Sequence, residues 1–190
     1  MKKLILIFCF CSSISFAQNK ISAGILVGGN TPGTIDYYYK TSVSGDYSKI
    51  ASGDNEKMKP TILLDLLYNI HKSINVGAEF EVNDVAGKLN YGIELATQFL
   101  FVNPKFTPYV HGAFGYNINS SNGGLIYNLG AGTLIPVANK LNLNLRIVYK
   151  NMSFSSSEKT AFVPGNEGVT LDYKTTFQTF NASIGLNFDL

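Results

Sequence analysis

From Lys20 to the end of the chain, hydrophobic side chains recur at every second position rather than every 3.6, in eight stretches of about ten residues. Alternation of this kind belongs to a strand with one apolar and one polar face. Ten residues is also the length a tilted strand needs to cross a bilayer. The third stretch is the cleanest: Ile74, Val76, Ala78, Phe80 and Val82 alternate with Asn75, Gly77, Glu79, Glu81 and Asn83. The first sets Ile21, Ala23, Ile25 and Val27 against Ser22, Gly24, Gly28 and Asn30. The second sets Ile62, Leu64, Leu66, Tyr68 and Ile70 against Thr61, Asp65 and Asn69. The fourth opposes Leu89, Tyr91, Ile93, Leu95, Phe99 and Phe101 to Asn90, Gly92, Glu94 and Gln98, and the fifth opposes Val110, Phe114, Tyr116 and Ile118 to His111, Gly115 and Asn117. Leu125, Tyr127, Leu129, Ala131 and Ile135 face away from Asn128, Gly130 and Gly132 in the sixth, and Leu141, Leu143, Leu145, Ile147 and Tyr149 from Asn142, Asn144, Arg146 and Lys150 in the seventh. The last runs from Phe180 to Leu190, with Asn181, Ser183, Gly185, Asn187 and Asp189 on its polar side. An even count fits a closed bacterial barrel.

The connections fall into two alternating classes. Short turns are expected at His71 to Ser73, Asn103 to Thr107 and Pro136 to Lys140; the others are Thr31 to Met58, Asp84 to Lys88, Asn119 to Gly124 and Ser155 to Asp172, two of them long. Short periplasmic turns and longer outer loops are the pattern of outer-membrane barrels. The long first connection holds Tyr37, Tyr38 and Tyr39 among balanced charges, and its alternation predicts strands continuing above the membrane. Val169 to Thr179 also reads as extended, which predicts a protruding hairpin between the seventh and eighth strands, with an edge open to a partner strand.

The first 17 residues read as a secretory signal, with Lys2 and Lys3 before the apolar Leu4 to Cys11 and a small-x-small site at Ser15, Phe16 and Ala17. The mature domain is then 18–190. Both cysteines, Cys9 and Cys11, lie in the signal, so no thiol chemistry is expected afterwards. Loss of Lys2 and Lys3 lowers Lys+Arg from 15 to 13 against 13 Asp+Glu, which leaves no basic excess for nucleic acid. No apolar run reaches the roughly 18 residues of a membrane-spanning helix.

Period alone does not separate a membrane barrel from a soluble lipocalin-like one. Aromatic placement does. With the first strand running outward, Tyr91, Tyr116, Tyr127 and Tyr149 fall at the outer strand ends on the apolar face, and Tyr68, Phe99, Phe101 and Phe188 at the inner ends. Two aromatic belts flanking an aliphatic band suit the two interfaces of a bilayer. An open sheet edge in lipid would leave unpaired backbone groups, so the sheet must close. The fold expected is an all-β, eight-stranded antiparallel up-and-down transmembrane barrel in the outer membrane of a Gram-negative cell, with both termini periplasmic.

The opening Ile21-Ser22-Ala23-Gly24 with Gly28-Gly29-Asn30, the segment Pro108 to Tyr116 and the closing Ile184 to Phe188 carry a further signal. On these residues the chain resembles the small outer-membrane β-barrel domain family abundant in Bacteroidetes, the "porin family" or PorT-like proteins. The resemblance implies location and architecture, with outer-membrane lipid and the barrel-assembly machinery as partners. Members typically end in an aromatic; this chain ends in Leu190, with Phe188 two residues earlier.

The polar face places Asp65, Glu79, Glu81, Glu94, Arg146 and Lys150 in a lumen that eight strands make just wide enough for side chains to fill. An internal ion-pair network follows, with Arg146 set to meet Glu79 or Glu94. Glycines on that face leave room for larger neighbours. No metal cluster, cofactor motif or phosphate loop is present in the sequence. The histidines are His71, in a turn, and His111, facing inward, and Ala113 rather than serine stands two positions beyond His111. The expectation is a non-enzymatic barrel presenting its loops (31–58, 155–172) for interaction or envelope integrity. A narrow porin-like channel is the alternative, followed by a lipid A-modifying enzyme.

Overall fold

A computed structural model of the chain describes residues 21–41, 46–55, 57–85, 88–103, 105–118, 123–159 and 170–190. The segment expected to be a secretory signal (1–17) lies outside them. The described residues form ten strands: β1 (Ile21–Asn30), β2 (Gly33–Thr41), β3 (Ser48–Asn55), β4 (Lys59–His71), β5 (Ile74–Val85), β6 (Lys88–Leu100), β7 (Thr107–Ile118), β8 (Gly124–Ala138), β9 (Leu141–Lys159) and β10 (Thr170–Asp189).

Eight of them, β1 and β4 to β10, pair antiparallel in sequence order, and β1 closes on β10. The result is a closed eight-stranded antiparallel barrel. Following partners once around, Ile21 leads through Tyr68, Val76, Thr97, Gly112, Leu129 and Tyr149 to Phe180. Phe180 accepts the backbone N–H of Thr31 at 2.7 Å, so the circuit returns to the first strand ten residues above its start. Eight strands with a ten-residue stagger tilt by about 40° and enclose a backbone cylinder of roughly 8 Å radius.

Alternation sorts the two faces. Ile62, Leu64, Leu66 and Tyr68 on β4, or Ile184, Leu186 and Phe188 on β10, are exposed on the outside, while Asp65, Leu67, Ser183 and Asn187 between them are buried inside. At this tilt the outward apolar series from Phe180 to Leu190 covers about 25 Å of axial height, the band expected of an outer-membrane barrel.

Two expected loops contain strand. Within Thr31 to Met58, β2 and β3 form a hairpin, and β2 pairs with the upper half of β10 from Gln178↔Thr34 to Leu171↔Thr41. The loop expected over Ser155 to Asp172 is narrower: β9 and β10 stay in register up to Lys159↔Thr170, because β2 covers the other edge of β10 and prolongs the ladder. Val169, expected to be extended, lies outside the described residues. Strands β9, β10, β2 and β3 thus form a sheet standing above the barrel rim, with β3 at one edge and β9, beyond its last β8 pair at Met152, at the other.

The turn between β8 and β9 is tight, and Lys140 closes it with φ of 61°, the left-handed region that a Cβ disfavours. Replacing Lys140 by Gly removes that strain against a smaller loss in chain entropy. The K140G protein should be more stable by about 1 kcal/mol, read as a higher urea midpoint for loss of the folded gel band; an unchanged or lower midpoint would contradict the turn geometry.

Candidate functional site

Among the described residues, the lumen gathers most of the buried polar groups, and register determines which of them meet. Asp65, Glu79 and Glu94 are direct cross-strand neighbours on β4, β5 and β6, a row of three carboxyl groups on one wall. Like charges so placed repel. Gly24 and Gly115 stand beside the two ends of the row, where a Cβ would run into the Asp65 carboxyl or the backbone and side chain of Glu94.

The cations come from the opposite wall. Strand β9 lies four strands from β5, across the diameter. Arg146 Nη1 donates to Glu79 Oε1 at 2.6 Å. Lys150 pairs with Glu81, which also accepts from Asn83 Nδ2 at 2.8 Å. Glu94 is served by Asn128 Nδ2 at 2.5 Å. Asp65 takes the end of an amide chain: Tyr109 donates to Asn144 (2.7 Å), Asn144 to Asn187 (2.8 Å) and Asn187 to Asp65 (3.4 Å). His111 Nε2 lies 3.6 Å from Glu79 Oε2. All six expected lumen residues are buried, none with more than 4% of its surface exposed.

Apolar layers lie at both ends of this polar core. Ile126, Met152, Phe154 and Phe177 cluster at the outer end with Ile35, which reaches them from β2. Leu67, Ala96 and Ala113 pack together towards the short turns. Tyr109, almost wholly buried, lies against Gly132, its direct partner on β8, where a Cβ would strike its ring. Tyr109, Asn144 and Asn187 carry the hydrogen-bond chain that ends on Asp65. Tyr109 shares the inward parity of His111, but an aromatic among belts reads as one more belt residue.

On the outside, Tyr91, Tyr116 and Tyr127 are exposed near the outer ends of their strands, and Tyr68, Phe99, Phe101 and Phe188 near the short turns. Tyr149 is half-buried, edge-on to Phe180 with ring centroids 5.6 Å apart. Above that pair the outward positions become polar: Gln178, Thr176, Lys174 and Asp172 on β10, Ser153 and Ser155 on β9, Thr34 and Asp36 on β2.

In the standing sheet, Lys49 Nζ lies 2.7 Å from Asp36 Oδ1, and the Ser52 hydroxyl donates to the same carboxylate. These donors, Lys49 foremost, hold the Asp36 pKa below its ordinary 3.8. A lowered carboxyl pKa contributes stability above the unfolded value and loses it as pH falls through the folded one. Amide protection in β3 should therefore hold at neutral pH and decline below pH 3.8; hydrogen-exchange protection factors for Ser48 to Gly53 that stay constant down to pH 2 would refute the tie.

No protein-family model matches the chain, and no curated protein matches it in sequence. Among solved structures it is similar to Neisserial surface protein A, with 11% identity, a TM-score of 0.47 and coverage of 90% of this chain and 97% of that one. It is similar to the outer membrane protein OprG from Pseudomonas aeruginosa at 14% identity and a TM-score of 0.49, covering 90% and 95%. The outer membrane enzyme PagL follows at 15% identity and a TM-score of 0.38, covering 78% and 98%.

Removing one partner of a buried ion pair leaves the other uncompensated, at about 3–5 kcal/mol, whereas replacing both by apolar groups costs far less. Arg146→Ala should lower stability by that amount, and the double variant R146L/E79L should recover most of it, both read from urea midpoints. Equal losses in the two variants would show that the pair is not coupled.

Proposed function

We propose that the chain is a non-enzymatic integral protein of the outer membrane, with its lumen plugged by its own side chains and its outer loops displayed for interaction or envelope integrity. The observation that carries this reading is the inversion of its faces: large apolar side chains cover the outside while carboxyl, guanidinium and ammonium groups are buried within. Water would favour the opposite arrangement, and hydrocarbon favours this one. The change to polar residues above Tyr149 and Phe180 marks the level at which the strands leave the lipid.

Filling of the lumen follows from reach. Across a cylinder of roughly 8 Å radius, arginine and glutamate side chains from facing walls meet, and the burial of Glu79, Glu81 and Lys150, none more than 1% exposed, supports a filled lumen. A solute path would have to pass these contacts and the apolar layers beyond. The membrane orientation follows the strand ends: short turns and both termini towards the periplasm, the standing sheet (within 31–58 and 155–172) at the cell surface. The resemblance to the small outer-membrane barrel family belongs to the same reading.

The non-enzymatic part rests on the histidines. His111 is enclosed beside Glu79, remote from the lipid-facing surface where a lipid-modifying base must work, and His71 lies in a short turn, its Nδ1 accepting the Ser73 N–H at 3.3 Å. Refolded protein in a planar bilayer should give no discrete openings, and lipid A from expressing cells should keep its mass. Reproducible unit conductance would overturn the plug, and a changed lipid A mass abolished by His111→Ala would overturn the absence of activity.

A further inference from the structure

The short-turn rim carries a charge pattern that the plugged-barrel reading does not use. Each of its three turns contains one lysine and no carboxylate: Lys72 between β4 and β5, Lys105 in 101–106 between β6 and β7, and Lys140 between β8 and β9. All three are exposed. The acidic side chain nearest this end, Asp189, has inward parity on β10. The opposite rim mixes signs, with Asp36, Lys40, Lys49, Lys59, Asp84 and Asp172 among its charges. The three turn lysines thus share this rim with a single acidic side chain, Asp189, whose backbone N–H donates to Lys140 O at 2.9 Å, and Lys72 and Lys105 lie in turns without one.

Beside Lys72 that rim has a cleft of about 730 Å3, lined by Phe101, Val102, Phe106 and Pro108 among others. Its walls are held in place. The Leu100 N–H donates to Ser73 O and the Phe101 N–H to Pro108 O, both at 2.8 Å, and Asn103 accepts from the Lys105 N–H (3.0 Å) and from the Thr107 hydroxyl (3.3 Å). Phe101 and Val102 are each more than 60% exposed, large apolar groups left open beside a cation.

We propose that this cleft seats an anionic phospholipid of the adjoining leaflet, its phosphate against Lys72 and its upper acyl chains along Phe101, Val102 and Phe106, with Lys105 and Lys140 drawing further anionic headgroups to the rim. The inference rests on the membrane reading above and specifies the lipid. A soluble phosphate compound would use the lysine and leave the apolar wall bare; a phospholipid uses both. The wall is continuous with the outward apolar face at Phe99, so an acyl chain enters from the bilayer without crossing water. A flexible lysine stem reaches a headgroup while packing along apolar surface, and each such charge near an anionic surface strengthens binding about fivefold.

The test is native mass spectrometry of the refolded full chain, released from detergent containing equimolar phosphatidylglycerol and phosphatidylcholine with matched acyl chains. Wild type should retain phosphatidylglycerol preferentially; Lys72→Gln should reduce that preference about fivefold, and Phe106→Ser should weaken retention, while Lys40→Gln on the opposite rim should change nothing. Equal retention of the two lipids by a chain that folds, or variants indistinguishable from wild type, would overturn this inference and leave the membrane reading intact. Displacement by free glycerol phosphate would reassign the cleft to a soluble ligand. A chain that enters no detergent or vesicle as a heat-modifiable barrel would overturn both readings.

Discussion

Closure of the β1–β10 ladder with a ten-residue stagger is the constraint from which the rest follows. It fixes the tilt, and with the tilt the radius. A cylinder of roughly 8 Å radius brings Arg146, Tyr109 and Lys150 within reach of partners on other strands: Glu79, Asn144 and Glu81. The same register aligns Asp65, Glu79 and Glu94 in one row and sets β9 across the lumen to supply their counter-charges. Shifting one strand by a single residue would turn its carboxylates outward into lipid, so the charged lumen and the apolar exterior specify each other.

The standing sheet applies the same pairing rule beyond the barrel. Strand β10 continues past the Tyr149–Phe180 level, and its exposed edge would be an unpaired template. The β2–β3 hairpin covers that edge, and its Ile35 joins the apolar cluster over the outer end of the lumen. The unpaired edge moves outward to β3, where Ser48 to Asp54 are largely exposed. One hairpin thus shields a barrel strand and helps cover the lumen.

Much of this was legible in the sequence because parity is local. Every outward-facing residue of the third stretch, and the inward position of all six charged residues, could be assigned by counting in twos. Cross-chain register could not. That Asp65, Glu79 and Glu94 are neighbours, that Arg146 reaches Glu79 rather than Glu94, and that Tyr109 is received by Gly132 depend on stagger accumulated around eight strands. The hairpin within 31–58 could be foreseen as extended chain, but its pairing with β10 joins residues more than 120 positions apart, such as Ile35 and Phe177. The asparagines of the lumen were visible as polar positions; their service to Glu94 and Asp65 emerges only when opposite walls are brought together.

The central claim is that lipid surrounds the barrel and protein fills it. It is tested most directly by a nitroxide scan along β10, using single-cysteine variants of residues 18–190, a segment that contains no cysteine. In bilayers, labels at Phe180, Ala182, Ile184, Leu186 and Phe188 should be accessible to oxygen and shielded from a water-soluble relaxant. Labels at Lys174 and Thr176 should show the reverse. Strong contact with the aqueous relaxant at the positions from 180 to 188 would contradict the account.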